Sequence, residues 1–577
     1  MPTIRAFSIA PTSVSNELFG GNLLSTRDSL GDDSTFEVVA DQLDISEFRY
    51  PGGSLTENYF DIGNPNADSV THTNGVDTVG LVPLSDFFFF LEKNGFSTTL
   101  VIPTRGYLSE NRDQNGHRFA SIDREELQTF VRDVLDGEYG HVSIDAFEIG
   151  NEYWGSGEMS AVEYGRVSKE VVSIISDSLQ SHPDHETLFS TTDILVQMGT
   201  NYGEHSLSSD FEDVEDGAAQ LDAFNEAYNT DFGNDFLYSS GSVKWAHLAN
   251  ELIIREHEDA GTLEKIDGIV AHVYSRGADL ASSRYYALRT VEQTWSERLE
   301  EVELHVTEWN QTNRLDHDEE FGLMQAHEML NLMEAFVEFE VDAAHVWPLQ
   351  QNTANDLSGD VGQTDLTVAG EMFSLMSDCL IGTRPINLNG KPRQPEDEIE
   401  TQSADIHGFY AEDRLVIVVA STRSEETDIL LDLGELITDE SSATAHILGV
   451  VDGHNPTGSD AIAETNEVSQ SSFYQEQYVD LSLDPYEIAW IEVVNPTYTD
   501  NLLNLIEGDA PDPVPPDWDD DDDGAPLPPY LPIPDGDVEE DEEEDELASD
   551  DIELGGGMGL GFLLLALLGA AAGFGGG

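Results

Sequence analysis

The chain has 577 residues, with 115 Asp plus Glu against 24 Lys plus Arg, a formal net charge of −91 and one Cys. Hydrophobic residues make up 39%, with 26 Phe, 18 Tyr and 7 Trp, which supplies a core and excludes wholesale disorder. One Cys rules out a disulfide framework and Cys-based zinc ligation, and the charge excludes nucleic acid, whose phosphates need a basic footprint.

The acidity is spread along the chain. Residues 501–553 hold 22 carboxylates and no basic residue, which leaves 93 against 24 cations in residues 1–500, a net of −69. A domain so charged repels itself at low ionic strength and suits a salt-exposed, halophilic setting. Met1 to Ala10 lack a charged start followed by an apolar run, so no signal peptide is visible. A secreted or cell-surface location is expected, with the cytoplasm of a halophile as the alternative.

From residue 16 to 385, short apolar runs alternate with amphipathic stretches, the pattern of repeated β–α units. Strands are expected at Leu18–Asn22, Ile45–Tyr50, Thr98–Pro103, Ala146–Ile149, Leu188–Thr191, Gly268–Val273, Leu304–Thr307 and Ala343–Val346. Helices are expected at Leu84–Asn94, Asp123–Leu135, Ala161–Gln180, Lys244–His257, Ser282–Arg298 and Gly322–Glu338. Eight strands over about 370 residues predict an α/β fold, a (β/α)8 TIM barrel with insertions. The longest insertion, Gly199 to Ser242, is acidic and aromatic and is expected over the barrel mouth. From 386 to 497 the short β-rich runs Ala404–Tyr410, Arg414–Ser421, Thr427–Leu431, Ala443–Val451 and Tyr486–Val494 predict a C-terminal β-sandwich. Residues 1–15 include a strand-like segment, Thr3–Ile9, expected to pair into that sandwich.

An acidic, Pro-rich, disordered linker is expected over 498–556, followed by an apolar tail at 557–577. Within the tail, Met558 to Phe574 has the minimum length for crossing a bilayer, so it reads as a membrane or cell-surface attachment or as a sticky end. Asp519-x-Asp521-x-Asp523-Gly524 begins like an EF-hand loop, but Tyr530 stands where the twelfth-position Glu is needed, so an acidic spacer is the reading.

Three motifs end predicted strands, where a TIM barrel keeps its active site. They are Phe48-Arg-Tyr-Pro-Gly-Gly53, Phe147-Glu-Ile-Gly-Asn-Glu-Tyr-Trp154 and Leu304-His-Val-Thr-Glu-Trp-Asn310. Glu152 and Glu308 therefore approach one mouth from strands four and seven. A pair of carboxylates about 5–5.5 Å apart is what a retaining glycosidase needs: one protonates the leaving oxygen, the other attacks the anomeric carbon. Arg49, Asn151, His272 and Tyr274 are candidate donors around them. Trp347 is the favoured sugar platform, and Trp154 and Trp309 are candidates for which, as for Tyr107 and Tyr153, core packing is weighed equally. His141, His305 and His345 read as structural, Asp193 as a candidate contact to a sugar hydroxyl and Cys379 as a small core residue. The chemistry requires no metal or cofactor, and no His/Asp cluster has ligand spacing along the sequence.

These motifs resemble glycoside hydrolase clan A, whose members are (β/α)8 retaining enzymes. The resemblance implies that Glu152, preceded by Asn151, is the acid/base and Glu308 the nucleophile. Arg-Tyr-Pro-Gly-Gly at Arg49–Gly53 and Gly-Asn-Glu at Gly150–Glu152 are similar to the family 51 α-L-arabinofuranosidases, and the barrel plus sandwich also looks like families 39 and 79. His272-Val-Tyr274 looks like the strand-six segment whose Tyr touches the nucleophile. The implied activity is arabinofuranosidase-, xylosidase- or glucuronidase-like, on an oligo- or polysaccharide. A non-catalytic carbohydrate-binding surface protein on the same barrel, or an endo-acting hydrolase, are the rival readings.

Overall fold

The computed structural model describes residues 3–507 apart from 32–33, 204, 215, 300, 314, 316–319, 360, 389–402 and 439–441. Eight parallel strands close into a barrel in sequence order: Gly20–Asn22 (β1), Glu47–Tyr50 (β2), Ser97–Ile102 (β3), Ile144–Ile149 (β4), Asp193–Gln197 (β5), Gly268–Ser275 (β6), Glu303–Gln311 (β7) and Ala343–Val346 (β8). Helices Phe36–Gln42, Leu84–Asn94, Arg124–Leu135, Ala161–Ser181, Trp245–Ala260, Tyr286–Thr294, Leu323–Glu338 and Val368–Leu380 follow the strands in turn. The predicted barrel is therefore present.

Local chemistry explains where these helices begin and end. Ser160 and Glu163 form a reciprocal capping box that starts Ala161–Ser181. Asp123 accepts from the backbone N–H groups of Glu125 and Glu126 at the head of Arg124–Leu135. Leu84–Asn94 stops at Gly95, whose φ of 79° is the left-handed exit that glycine takes without steric cost. Its buried Phe87, Phe88 and Phe90 join Phe36, Phe48 and Tyr50 in an aromatic layer between helices and barrel.

The fifth strand departs from expectation. Leu188–Thr191 is not a strand: His185–Phe189 is a single helical turn with Leu188 largely exposed, and β5 is Asp193–Gln197. Two adjacent short apolar runs compete there, and only the second buries its side chains in register with Ala146–Ile149. The shift puts Asp193 at the start of β5 instead of past its end.

Seven strands form the larger sandwich sheet, in the order Ser8–Ile9, Arg384–Asn387, Ala404–Tyr410, Arg414–Ser421, Ile488–Val494, Ser442–Val450 and Ala463–Val468. A three-stranded sheet, Thr427–Asp432, Tyr478–Leu483 and Tyr474–Gln475, closes the second layer. Ser8 and Ile9 pair antiparallel with Asn387 and Ile386. The chain does not turn to linker at 498. Tyr498 donates its hydroxyl to the carbonyl oxygen of Arg414, and helix Asp500–Glu507 buries Leu502 in the core that holds Ile4 and Ile9. Apolar residues on one face of that helix, Leu502, Leu505 and Ile506, explain why it packs instead of extending. Residues 508–577, with the acidic spacer and the Met558 to Phe574 tail, lie outside the described residues. Among the described residues no helix is long and apolar enough to cross a membrane.

Candidate active site

The C-terminal ends of the strands converge on Arg49. This side chain is fully buried on β2 and reaches four partners. Its Nε and Nη2 donate to both oxygens of Glu148 on β4, each at 2.7 Å. Nη1 donates to Glu308 Oε1 at 2.7 Å and to Asn22 Oδ1 at 3.1 Å. Nη2 also donates to Asn151 Oδ1 at 2.8 Å. A planar guanidinium presents five donors in a fixed fork, so one residue orients the ends of β1, β2, β4 and β7 together. Burial works against that charge, yet Glu148 and Glu308 outweigh it and hold the Arg49 pKa above its ordinary value.

Glu308 reaches the mouth because of a register shift. In the pairing of β6 with β7, Ala271 opposes Val306 while His272 opposes Glu308, so Thr307 is an extra residue. Such a bulge re-aims the side chain that follows it. Glu308 then accepts from Arg49 and, on Oε2, from the Tyr274 hydroxyl at 3.0 Å. His272 and Tyr274, two residues apart on β6, share the same face of the strand.

Glu152 arrives on a strained turn. Gly150 has φ +76° and Glu152 φ +38°, a left-handed conformation uncommon for a residue with a side chain. What holds the turn is Glu57, a buried carboxylate that accepts from the backbone N–H groups of Thr104, Arg105 and Asn151 at 2.9, 2.7 and 3.0 Å. Gln197 at the end of β5 ties the same turn by donating to Gly150 O and Glu148 Oε1. A side chain at Gly150 would press its Cβ to 2.8 Å of Thr104 Oγ1.

Between the two carboxylates stands His272. Its Nδ1 lies 3.3 Å from Glu152 Oε1 and 3.6 Å from Glu308 Oε2, and its Nε2 lies 3.3 Å from Thr307 Oγ1. An oxygen of Glu152, an oxygen of Glu308 and a ring nitrogen of His272 all fall within 4.8 Å of one another. Burial pushes the Glu152 carboxyl up from its ordinary value against the pull of His272, and repulsion by Glu308 adds to the rise. Burial disfavours charge on His272, but Glu308 and Glu152 overcome it and raise its pKa. The cluster thus contains one carboxylate clamped by a cation and one carboxyl environment that favours the proton, the divided pattern acid–base chemistry uses.

The aromatic expectations separate. Trp347 follows β8, is partly exposed and packs against Gly53, where an added Cβ would sit 2.7 Å from the indole. Trp154 stands edge-on to His272, ring centroids 6.2 Å apart, and forms a wall of the site. Trp309 is not at the mouth: alternation along β7 turns it away from Glu308, and it is fully buried against Phe336 and Phe373. Tyr153 stacks on Tyr164 and accepts from the backbone N–H of Thr200, which makes it core. Tyr107 packs against the main core at the foot of a hairpin that follows β3, Leu108–Arg112 with Arg118–Ala120.

At the opposite end of the barrel lie His305 and His345, the first bonded to Glu303 and the second fully buried beside Glu47. His141 is exposed and Cys379 half-buried against the core. Asp193 joins Glu303 and His305 there and so contacts no group at the mouth. The Gly199 to Ser242 insertion contributes helix Gly217–Tyr228, fixed by Tyr228 to His117 in the hairpin that follows β3, and sets Tyr202 against Trp154.

Glu148, Glu57, Asn22, Gln197 and Asn310 support the site without being singled out by the sequence motifs. Asn310 donates to the backbone carbonyls of Trp347 and Asn355 and so fixes the loop after β8. The legible signal was Glu148 itself, a carboxylate inside an apolar strand, which implies a buried partner.

No protein-family model matches the chain, and no curated protein matches it in sequence. Its fold is similar to solved glycoside hydrolases. One is an α-L-arabinofuranosidase from Thermotoga maritima in complex with arabinose, at 15% identity and a TM-score of 0.55, covering 85% of this chain and 99% of that one. Another is a family 51 α-L-arabinofuranosidase from Bifidobacterium longum, at 13% identity and 0.55, covering 85% and 98%. A bifunctional glucanase-xylanase from a metagenome library matches at 10% identity and 0.52, again covering 85% and 98%.

Proposed function

We propose that the chain is a retaining glycoside hydrolase in which Glu308 is the nucleophile and Glu152 the acid/base. The observation that carries this reading is the pair of carboxylate oxygens within 4.8 Å across His272. One His272 nitrogen, 3.3 Å from Glu152 and 3.6 Å from Glu308, keeps the pair close, which favours direct attack over the spacing of about 6.5–9.5 Å that admits a water in an inverting site. In the first step a Glu308 oxygen bonds to the anomeric carbon, the glycosidic C–O bond breaks, and Glu152 delivers its proton to the leaving oxygen. In the second, Glu152 takes a proton from water, the water oxygen bonds to the anomeric carbon, and Glu308 leaves. Two inversions give retained configuration. Arg49 and Tyr274 orient Glu308 for in-line attack, and Trp347 offers a face for a sugar ring.

The substrate class is an arabinofuranoside, xyloside or glucuronide within an oligo- or polysaccharide, on the strength of the motifs at Arg49–Gly53 and Gly150–Glu152. The protein works outside the cell or at its surface, in salt. A Tm that fails to rise between low salt and about 1 M NaCl, where the Debye length is roughly 3 Å, overturns the salt-adapted reading. The mechanism is tested with aryl glycosides of these three sugars. A 2-fluoroglycoside should label Glu308. Glu152→Ala should lose about 10²–10⁴-fold in rate, regained with azide as a glycosyl azide of retained configuration. An inverted first product from the wild type overturns the two-step scheme.

A further inference from the structure

A second cluster of histidines and carboxylates lies between barrel and sandwich, away from the mouth. His327 and Glu334 sit two turns apart on one face of helix Leu323–Glu338. Asp405 and His407 sit two residues apart on one face of strand Ala404–Tyr410. His327 Nε2 is 3.1 Å from Asp405 Oδ2 and 3.1 Å from His407 Nε2, and His407 Nε2 is 3.3 Å from Asp405 Oδ2. Asp405 and His407 are buried, while His327 keeps a partly exposed edge. On its other nitrogen, His407 Nδ1 lies 2.8 Å from Glu334 Oε2.

We propose that His327 Nε2, His407 Nε2 and Asp405 form a Zn²⁺ site that pins the barrel helix to the sandwich strand. Two points carry it. The spacings match neighbouring ligands on a tetrahedral zinc, which at about 2.0–2.1 Å from the metal stand roughly 3.3 Å apart. A Glu334 contact to Nδ1 holds that proton and turns the Nε2 lone pair toward the other two ligands, the usual arrangement behind a metal-binding histidine. Imidazole nitrogens favour zinc-like metals over calcium or magnesium, and a water completes the fourth position through the exposed edge of His327. The same helix bears Glu328, which holds Arg284 and reaches Ser275 at the end of β6, so the clamp steadies an element that supports the active-site strands.

The test uses the full chain, stripped with EDTA and re-equilibrated with ZnSO4 in about 1 M NaCl so that the acidic surface does not collect metal. One Zn²⁺ per chain by elemental analysis, a Tm that rises with added zinc, and loss of both in His327→Gln are expected. Controls carrying His272→Gln or His305→Gln, which break the two other His/carboxylate clusters, should keep the metal. Co²⁺ in place of zinc should give the intense visible bands of a four-coordinate ion. His407→Gln repeats the test where it folds; the partly exposed His327 and the cobalt spectrum decide it where it does not. Absence of stoichiometric zinc overturns the proposal, as does metal retained by His327→Gln or lost in either control. Substrate hydrolysis is not a readout here, so failure of this site and failure of the proposed activity are separable.

Discussion

The two ends of the barrel bear similar residues and opposite electrostatics. At the mouth, Glu148 and Glu308 share the buried guanidinium of Arg49. At the floor, where the strands begin, Glu47, Asp145, Asp193, Asp267, Glu303 and Asp342 gather around His305 and His345. Among the described residues the ion contacts there are Glu303 with His305, and Glu47 with His345 at 2.7 Å. The second is not a salt bridge: burial pulls His345 down to about 3, burial raises Glu47, and the two atoms lack hydrogen-bonding alignment. Burial pushes Asp145 up to about 8, with Glu47 adding to it, and Asp193 up to about 7, with Glu303 adding to it. Where a fixed cation is supplied, at the mouth, two carboxylates are held as acceptors on one guanidinium; where it is not, burial raises Glu47, Asp145 and Asp193 toward the neutral form.

Removing that cation should give the largest effect. Arg49→Met strands Glu148 and Glu308 in a buried site, and breaking such a network costs about 3–5 kcal/mol. Chemical denaturation should register that loss together with loss of turnover. A destabilisation under about 1 kcal/mol would mean that Arg49 does not organise the mouth. Glu57→Gln is the next test. The amide keeps one acceptor oxygen and gains donors where backbone N–H groups already point, so a cost of about 1–3 kcal/mol is expected. Because Asn151 N–H is one of those groups, kcat should fall more than KM rises; an unchanged kcat would free the turn from Gly150 to Glu152 from dependence on Glu57.

Much of this arrangement was legible and some was not. Strand ends at Arg49, Glu152 and Glu308 were readable because motif residues of unusual type interrupt apolar runs of strand length. β5 was displaced because Leu188–Thr191 and Asp193–Gln197 carry similar local signals, and only pairing with β4 and β6 selects between them. Trp309 adjoins Glu308 in sequence, which points to the mouth, but alternation sends neighbours on a strand to opposite faces and buries its ring against Phe336 and Phe373. Glu57 stands 94 residues from the Asn151 it supports, and His327 stands 80 from His407. Such pairings carry no local periodicity and are set only by tertiary closure.

The floor supplies the smallest and most specific test. In the unfolded chain Asp145 has an ordinary aspartate pKa near 3.9, roughly, whereas the fold raises it to about 8. A raised folded value means that the native state binds the proton more tightly, so its stabilising contribution is complete below the unfolded value and is lost as pH climbs through about 8. Tm should therefore decline with rising pH up to about 8 and level off above it, read over about pH 6.5–8 in about 1 M NaCl to screen the surface. That window avoids His257 and His345, both lowered to about 3 by burial, whose contributions run the other way at acid pH. Asp145→Asn removes the titrating proton and keeps the shape, so it should flatten part of the decline while leaving kcat at the mouth unchanged. An undiminished slope in that variant would move the protonation elsewhere, and with it the contrast between the two ends of the barrel.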